Sequence, residues 1–406
     1  IQILRSFPAL ILALTATFLF GLGTFAGTFA ITLYTFAIMT KLTYEDASAA
    51  DVKAYQALRA MGVSKYVAYI HGILPEIIPG FLTNALYLLE TNVRHSSILG
   101  YVGAGGIGLL LNEKISWLEY DKVGTILLML FLTVCVIEYF SRYLAALIRK
   151  ERTIKKEQAR LLLLFLAALF LICTFTLSLP DFSRTSPQTL RNMFAGFLQP
   201  DWSFFFSAEK DGLGYLLLET VCIAFIGTVI GAIVSAPLAF LNTKRFVPAP
   251  VSFLFNLVIM VIRSVPFLVY GLIFIRVSGP GAFTGVLTLA VCSIGLLTKR
   301  FTEALDALDL RPYHALLAMG VRPLPAICHS VLPQLKPVFT SIILYRFDVN
   351  IREASVLGLV GAGGIGAPLI FSMNQYAWEK AGAIMLGLIL LVWFIDMVSE
   401  KIGAGN

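Results

Sequence analysis

Long apolar stretches, at Leu161–Leu179, Glu219–Leu241, Ala282–Leu297 and Ala381–Phe394, set the folding problem before anything else is read. A helix needs about 20 mostly apolar residues to cross a bilayer. Within hydrocarbon only helices and closed barrels satisfy their backbone. These stretches are too long, and alternate too little, to be barrel strands. The chain is therefore expected to be all-α, a polytopic helical membrane protein. Composition agrees: 58% of residues are hydrophobic and 14% charged, against about 45–50% and about 25% in a soluble globular protein.

The net charge of +7 does not point to nucleic acid, because the positive residues lie between apolar stretches. Arg149, Lys150, Arg152, Lys155, Lys156 and Arg160 form one cluster, Lys244 and Arg245 a second, Lys299 and Arg300 a third. The alternate gaps, at 113–122 and 181–211, are mixed or acidic. That asymmetry places the basic gaps on the cytoplasmic side. Cys135, Cys173, Cys222, Cys292 and Cys328 show no Cys-x-x-Cys spacing, so neither a disulfide framework nor a metal site is expected.

The chain repeats itself. Asn92–Gly108 reads NVRHSSILGYVGAGGIG and Asn350–Gly366 reads NIREASVLGLVGAGGIG, an offset of 350 − 92 = 258. The same offset aligns Arg5 with Arg263, Pro8 with Pro266, Gly62 with Gly320, and Pro75 and Pro79 with Pro333 and Pro337. Glu138 falls on Asp396 and Ser141 on Ser399, with no gap anywhere. Repeat one is expected at 1–148, a basic cytoplasmic linker at 149–160 and repeat two at 161–406. Residue 1 corresponds to 259, inside a repeat, which predicts that the biological chain continues upstream. No signal peptide is recognised. Spans are expected near 3–20, 23–40, 76–94 and 123–147, then near 161–180, 213–241, 250–277, 281–298, 334–352 and 380–398. Both copies have one orientation, a parallel repeat with pseudo-two-fold symmetry.

Three motifs recur. The cytoplasmic gaps carry QALRAMGVSKYVAYIHGILP (Gln56–Pro75) and HALLAMGVRPLPAICHSVLP (His314–Pro333). In each, a short helix ends on a glycine suited to a left-handed cap, and a Leu-Pro opens the next span. A generic amphipathic loop would serve the fold; a loop of this length repeated at one place suits docking.

The second motif sets a carboxylate four residues before an arginine: Glu90, Asn92, Arg94 and Ser97, then Asp348, Asn350, Arg352 and Ser355. A charged residue in a span costs about 2.5–3.5 kcal/mol on insertion scales and marks a functional candidate. Four residues apart, the two charges share a helix face and can neutralise each other. Alternatively Arg94 and Arg352, one per repeat, meet near the pseudo-two-fold axis and pass an oxyanion through a pore, the planar guanidinium matching tetrahedral oxyanions. His95 against Glu353 makes the copies chemically unequal.

The third motif, Gly103-Ala-Gly105-Gly106-Ile-Gly108 and Gly361-Ala-Gly363-Gly364-Ile-Gly366, matches G-x-G-x-x-G literally. A dinucleotide site needs a preceding strand and a soluble βαβ unit. A tight re-entrant turn between membrane segments fits better. No G-x-x-x-x-G-K-[ST] loop exists, so nucleotide hydrolysis would come from another subunit.

The cytoplasmic loops resemble the ATPase-docking loop of type I ABC importer permeases: Glu-Ala-Ala, three residues, Gly, nine residues, Ile-x-Leu-Pro. Ala57, Gly62, Leu74 and Pro75 match, as do Ala315, Gly320, Leu332 and Pro333. The sequence departs from it at Gln56 and His314, Leu58 and Leu316, and Gly72 and Ser330. Together with the run from Tyr87 to Arg94, its copy from Tyr345 to Arg352 and the glycine hairpins, the chain resembles the phosphonate importer permease family. The resemblance implies a fused pair of permease repeats working by alternating access in a bacterial cytoplasmic membrane. It also implies two cytoplasmic ABC ATPases, which carry ATP and magnesium, and a periplasmic or lipid-anchored substrate-binding protein. Phosphonate, phosphite or a phosphate ester would be the solute; the alternative is the same machinery for another small solute such as methionine, taurine or nitrate. An ion-coupled secondary transporter would lack the paired loops. A membrane enzyme would have to rest on His71 and His329, which lie in those loops.

Overall fold

The computed structural model describes residues 8–148, 156–177, 187–207 and 212–404. Arg5, Ser6 and residues 149–155 of the expected linker lie outside them, and the side chains of Asp396 and Ser399 are likewise not described. The described residues are helical and contain no strand. They form two compact units, 1–187 and 188–406.

The first unit runs α1 (Ala9–Phe20), α2 (Thr24–Ala49), α3 (Lys53–Ala60), α4 (Lys65–Gly72), α5 (Leu74–Leu99), α6 (Ile107–Ser116), α7 (Tyr120–Ile148) and α8 (Lys156–Phe175). The second runs α9 (Pro187–Leu198), α10 (Trp202–Phe205), α11 (Leu213–Asn242), α12 (Ala249–Ser264), α13 (Phe267–Ser278), α14 (Ala282–Ala307), α15 (Arg311–Ala318), α16 (Pro323–Ala326), α17 (Leu332–Leu357), α18 (Gly366–Asn374) and α19 (Trp378–Ala404). The repeat is visible in these bounds. Adding 258 turns α1 into α13, α2 into α14, α3 into α15 and α5 into α17, to the residue.

Six helices among the described residues are long and apolar enough to cross a membrane, and two bent pairs can each make one more span. The expected span at 250–277 is one of those pairs: α12 and α13 meet at 85°. Pro266 is the cause. It has no N–H to continue a helix, and its ring drives Val265 into the extended region, at φ −79° and ψ 123°. Pro8 opens α1 in the same way, so the expected span at 3–20 is, from residue 8 onward, a 12-residue helix.

In the second unit α11 is held against α14 by a ladder of small residues. Gly227, Gly231, Ser235 and Ala239 recur every fourth position and are all buried. A Cβ at Gly231 would stand 2.5 Å from Ser293 Cβ, and one at Gly227 2.8 Å from Leu289 Cβ. Small residues let helix backbones approach where apolar burial gives no drive, because lipid is as apolar as the helices. Polar contacts fasten the same seam: Ser235 Oγ donates to Ile294 O at 3.2 Å and Asn242 Nδ2 to Thr302 Oγ1 at 3.1 Å. Toward the C-terminal ends of α11 and α14, Ala239, Leu297, Phe301, Leu305, Val331 and Leu335 close an apolar core.

Candidate functional site

The short helices α3 and α15 are the most outlying part of each repeat, with no buried residue in either. Each begins at an aspartate the sequence reading passed over. Asp51 Oδ1 accepts the Lys53 N–H at 2.9 Å, and Asp309 Oδ1 accepts the Arg311 N–H at 3.0 Å. Hydrogen bonds from the Arg311 side chain and main chain hold the Asp309 carboxyl below its usual range. Each helix ends on a glycine in the left-handed region, Gly62 at φ +81° and Gly320 at φ +82°. Val63 N–H then bonds back to Leu58 O, and Val321 N–H to Leu316 O, the Schellman arrangement that satisfies terminal carbonyls. Gln56, Ala57, His314 and Ala315 lie exposed on these helices, and Pro75 and Pro333 stand in the first turns of α5 and α17. Met61 and Met319 project at 77% and 71% exposure at the ends of these helices.

The repeats differ where each loop joins its long helix. A Cβ at Gly72 would stand 2.8 Å from Tyr55 N, so α4 packs against α3 without room for a side chain. The equivalent position holds Ser330, and there the chain takes a π-helical turn over Ile327–Val331. The wider turn makes the room. Consequently α4 and α5 meet at a 52° bend, whereas 323–360 form one continuous span.

Within the membrane segments the carboxylate–arginine pairs are closed. Arg94 Nη2 bonds Glu90 Oε1, and Arg352 Nη2 bonds Asp348 Oδ2. The self-neutralising arrangement is thus present in both repeats. The four side chains stay 11–17% exposed, so neither fork is sealed. Each pair continues an i, i+3, i+7 line from an exposed tyrosine, Tyr87 on α5 and Tyr345 on α17.

The remaining residues of the motif turn elsewhere. Asn92 Nδ2 donates to Thr35 Oγ1 at 2.8 Å, tying α5 to α2. Asn350 Nδ2 donates to Ser293 Oγ at 2.9 Å and Thr228 Oγ1 at 2.7 Å, tying α17 to α14 and α11. Ser97 Oγ and Ser355 Oγ each donate to their own helix, at Arg94 O and Arg352 O, both 2.7 Å. The asparagines and serines therefore fasten the helices on which the arginines stand. Sequence reasoning did not single out Arg346, which pairs with Glu353 at 2.7 Å. The signal was available as the difference between Tyr87-Leu88 and Tyr345-Arg346.

The glycine hairpins reverse the chain beside these helices. After α5 a 3₁₀ turn over Gly100–Val102 leads through Gly103, Gly105 and Gly106, all near φ +80°. A Cβ at Gly108 would fall 2.0 Å from Ser97 O, and one at Gly366 2.2 Å from Ser355 O. The returning helix is thus packed backbone to backbone on the one it leaves. Gly23 N–H and Gly281 N–H reach across to Gly103 O and Gly361 O, at 3.0 and 2.9 Å. In repeat two Gly364 N–H also donates to Glu219 Oε2, and Ile365 N–H to Thr220 Oγ1 at 3.0 Å. The amides of Gly103, Ala104, Gly361, Ala362, Gly364 and Ile365 are bonded to protein, and no strand precedes either motif among the described residues, so G-x-G-x-x-G here is a turn between helices.

Duplicated apolar spans, paired outlying loops and paired intramembrane ion pairs define a multi-pass membrane permease. The chain belongs to the family of binding-protein-dependent transport system inner membrane components, whose model matches residues 1–154 and 227–402. It is a transport subunit, and the family's ATPase is a separate one. The chain is similar to the phosphate-import permease protein PhnE of Mycolicibacterium smegmatis, at 27% identity over 97% of this chain and 75% of that protein. It is also similar to the phosphite transport system permease protein PtxC of Stutzerimonas stutzeri, at 36% identity over 45% of this chain and 67% of that protein. An inward-facing structure of the MetNI methionine ABC transporter aligns with a TM-score of 0.43 at 18% identity, covering 47% of this chain and 96% of that one.

Proposed function

We propose that this chain is the fused permease, repeat one at 1–148 and repeat two at 161–406 about the linker 149–160, of an ATP-driven importer. The solute is a phosphonate or a related small phosphorus oxyanion, carried across a bacterial cytoplasmic membrane by alternating access. Similarity to permeases named for phosphate and phosphite carries the substrate class. Arg94 and Arg352, each closed on a carboxylate in a span, give that class a chemical counterpart. A guanidinium fork takes a phosphorus oxyanion bidentately, so the arginine keeps an anionic partner when the oxyanion displaces its carboxylate, and the freed carboxylate passes to water or takes a proton from it. Two ABC ATPases, holding ATP and magnesium, dock at the loops around Gly62 and Gly320. A periplasmic or lipid-anchored binding protein delivers the solute.

The test is uptake of labelled methylphosphonate and phosphite into proteoliposomes holding the permease, its ATPases and its binding protein. Arg94→Lys and Arg352→Lys are expected to slow uptake although charge is kept, because the fork is lost. Arg94→Gln and Arg352→Gln are expected to slow it further. Normal uptake by the charge-free chain (Glu90→Gln, Arg94→Gln, Asp348→Asn, Arg352→Gln) would sink the substrate role and leave two structural ion pairs.

A further inference from the structure

The helices α5 and α17 share their boundaries at the repeat offset, so each is a control for the other. At the repeat offset, Arg346 stands where repeat one has Leu88, and Glu353 where it has His95. In repeat two these residues form a fork: Arg346 Nη2 to Glu353 Oε2 at 2.7 Å and Nη1 to Oε1 at 3.4 Å. Arg346 Nε donates to Ser293 Oγ at 3.1 Å, the hydroxyl that also receives Asn350. Arg346 is 4% exposed.

Repeat one shows that the helix contact does not need these charges. Asn92 reaches Thr35 there as Asn350 reaches Ser293, with Leu88 and His95 beside it in place of the ion pair. Leu88 is buried, so the position is a packed one in either chemistry. Two added charges in a membrane segment are costly, and they mark function when the same framework does without them. The chemistry of the fork is specific. A carboxylate on a guanidinium presents the same two-oxygen edge as a phosphorus oxyanion. Glu353 directly follows Arg352, so α17 carries two arginine–carboxylate forks on neighbouring faces, whereas α5 carries one at this level.

We propose that Arg346 is a specificity-determining residue of the second repeat, with Glu353 holding its fork until a phosphorus oxyanion on α17 exchanges with that carboxylate. Arg346 keeps an anionic partner throughout, and the freed Glu353 carboxylate passes to water or takes a proton from it. The permease is then unequal by design: one anion-matching arginine in repeat one, two in repeat two. This inference rests on the function proposed above.

The test is equilibrium binding of labelled phosphite and methylphosphonate to the permease–ATPase complex without binding protein, alongside uptake by the complete system. Glu353→Gln removes the competing carboxylate and keeps the arginine. It is expected to tighten binding roughly tenfold, the scale of one charge-assisted hydrogen bond, and to slow uptake because release is delayed. Arg346→Leu with Glu353→His installs the pair that repeat one already accommodates, and is expected to weaken binding by roughly the same factor. Competition for one fork requires these opposite movements. A purely structural pair would lower the yield of folded complex in both variants and leave the affinity of what remains unmoved, and that result overturns the proposal. Should the double variant fail to assemble, Glu353→Gln decides alone: unchanged or weaker binding refutes it. A wild-type system that imports neither probe fails at the substrate reading instead, and both proposals fall with it.

Discussion

Gly108→Ala and Gly106→Ala separate two reasons for a glycine within three residues of each other. Gly106 sits at φ +83° with its nearest neighbour, Ser96 O, 3.7 Å from a built Cβ. An alanine there meets no close neighbour, so its cost is the positive-φ extended backbone alone (ψ −173°), about 1–3 kcal/mol. At Gly108 the backbone is ordinary but the Cβ would lie 2.0 Å from Ser97 O and 2.9 Å from Ser97 C. Both are main-chain atoms of α5, which no rotamer change can move. Relief means shifting α6 by more than an ångström, at the upper end of the about 1–3 kcal/mol typical of overpacking. For a unit of this size about 2–4 °C of melting temperature follows each kcal/mol. Gly108→Ala is therefore expected to fall by roughly 6–12 °C, and Gly106→Ala by roughly 2–12 °C. Fluorescence-detected size-exclusion melting in detergent reads both, with vesicle uptake as the functional measure. Repeat two adds an internal check. Gly364→Ala should cost more than Gly106→Ala, because Thr220 Oγ1 stands 2.7 Å from its Cβ while holding the Ile365 amide. If Gly108→Ala melts as high as the wild type, the backbone-on-backbone account of the hairpin is wrong.

Two further outcomes follow from the same kind of reasoning. Gly62→Val and Gly320→Val together should leave the spans folded yet uncouple ATP hydrolysis from uptake, because a β-branched residue resists φ near +80° and the cap opens; co-purification of the ATPase and stimulated hydrolysis measure it, and undiminished transport would remove the loops from the mechanism. Gly231→Val should force α11 off Ser293 and cost about 1–3 kcal/mol, with a matching loss of melting temperature; a variant as stable as wild type would show that the small-residue ladder is not the contact holding α11 to α14.

Much of the architecture was legible in the sequence because it is stated twice. The 258-residue offset paired the spans, the loops and the hairpins, and the bounds of α1, α2, α3 and α5 obey it to the residue. The charge of Arg94 and Arg352 drew notice because it is rare in such company. The break at Val265–Pro266 was legible as chemistry, but the apolar run continues through it and masks the missing amide. Leu118 and Tyr376 were not legible at all. Both take the left-handed conformation, at φ 59° and 58°, where no glycine or asparagine advertises it. They are equivalent positions, so the geometry is imposed by the turn between helices and not by the residue. The Arg346–Glu353 fork was hidden by its spacing, since seven residues is one turn beyond the i+4 pairs that sequence reasoning looks for.

The π turn at Ile327–Val331 gives the duplicated machine an uneven gearbox. Under the proposed coupling role, displacement enters at α3 in one half and at α15 in the other. On the repeat-two side the continuous span 323–360 passes a push along its axis with no joint to absorb it. On the repeat-one side the 52° elbow between α4 and α5 can turn part of the same push into rotation about Ile73. Equal strokes at the two loops would then arrive as a thrust in one half and a swing in the other. Gly72 and Ser330, a difference of one hydroxymethyl group, would set that ratio.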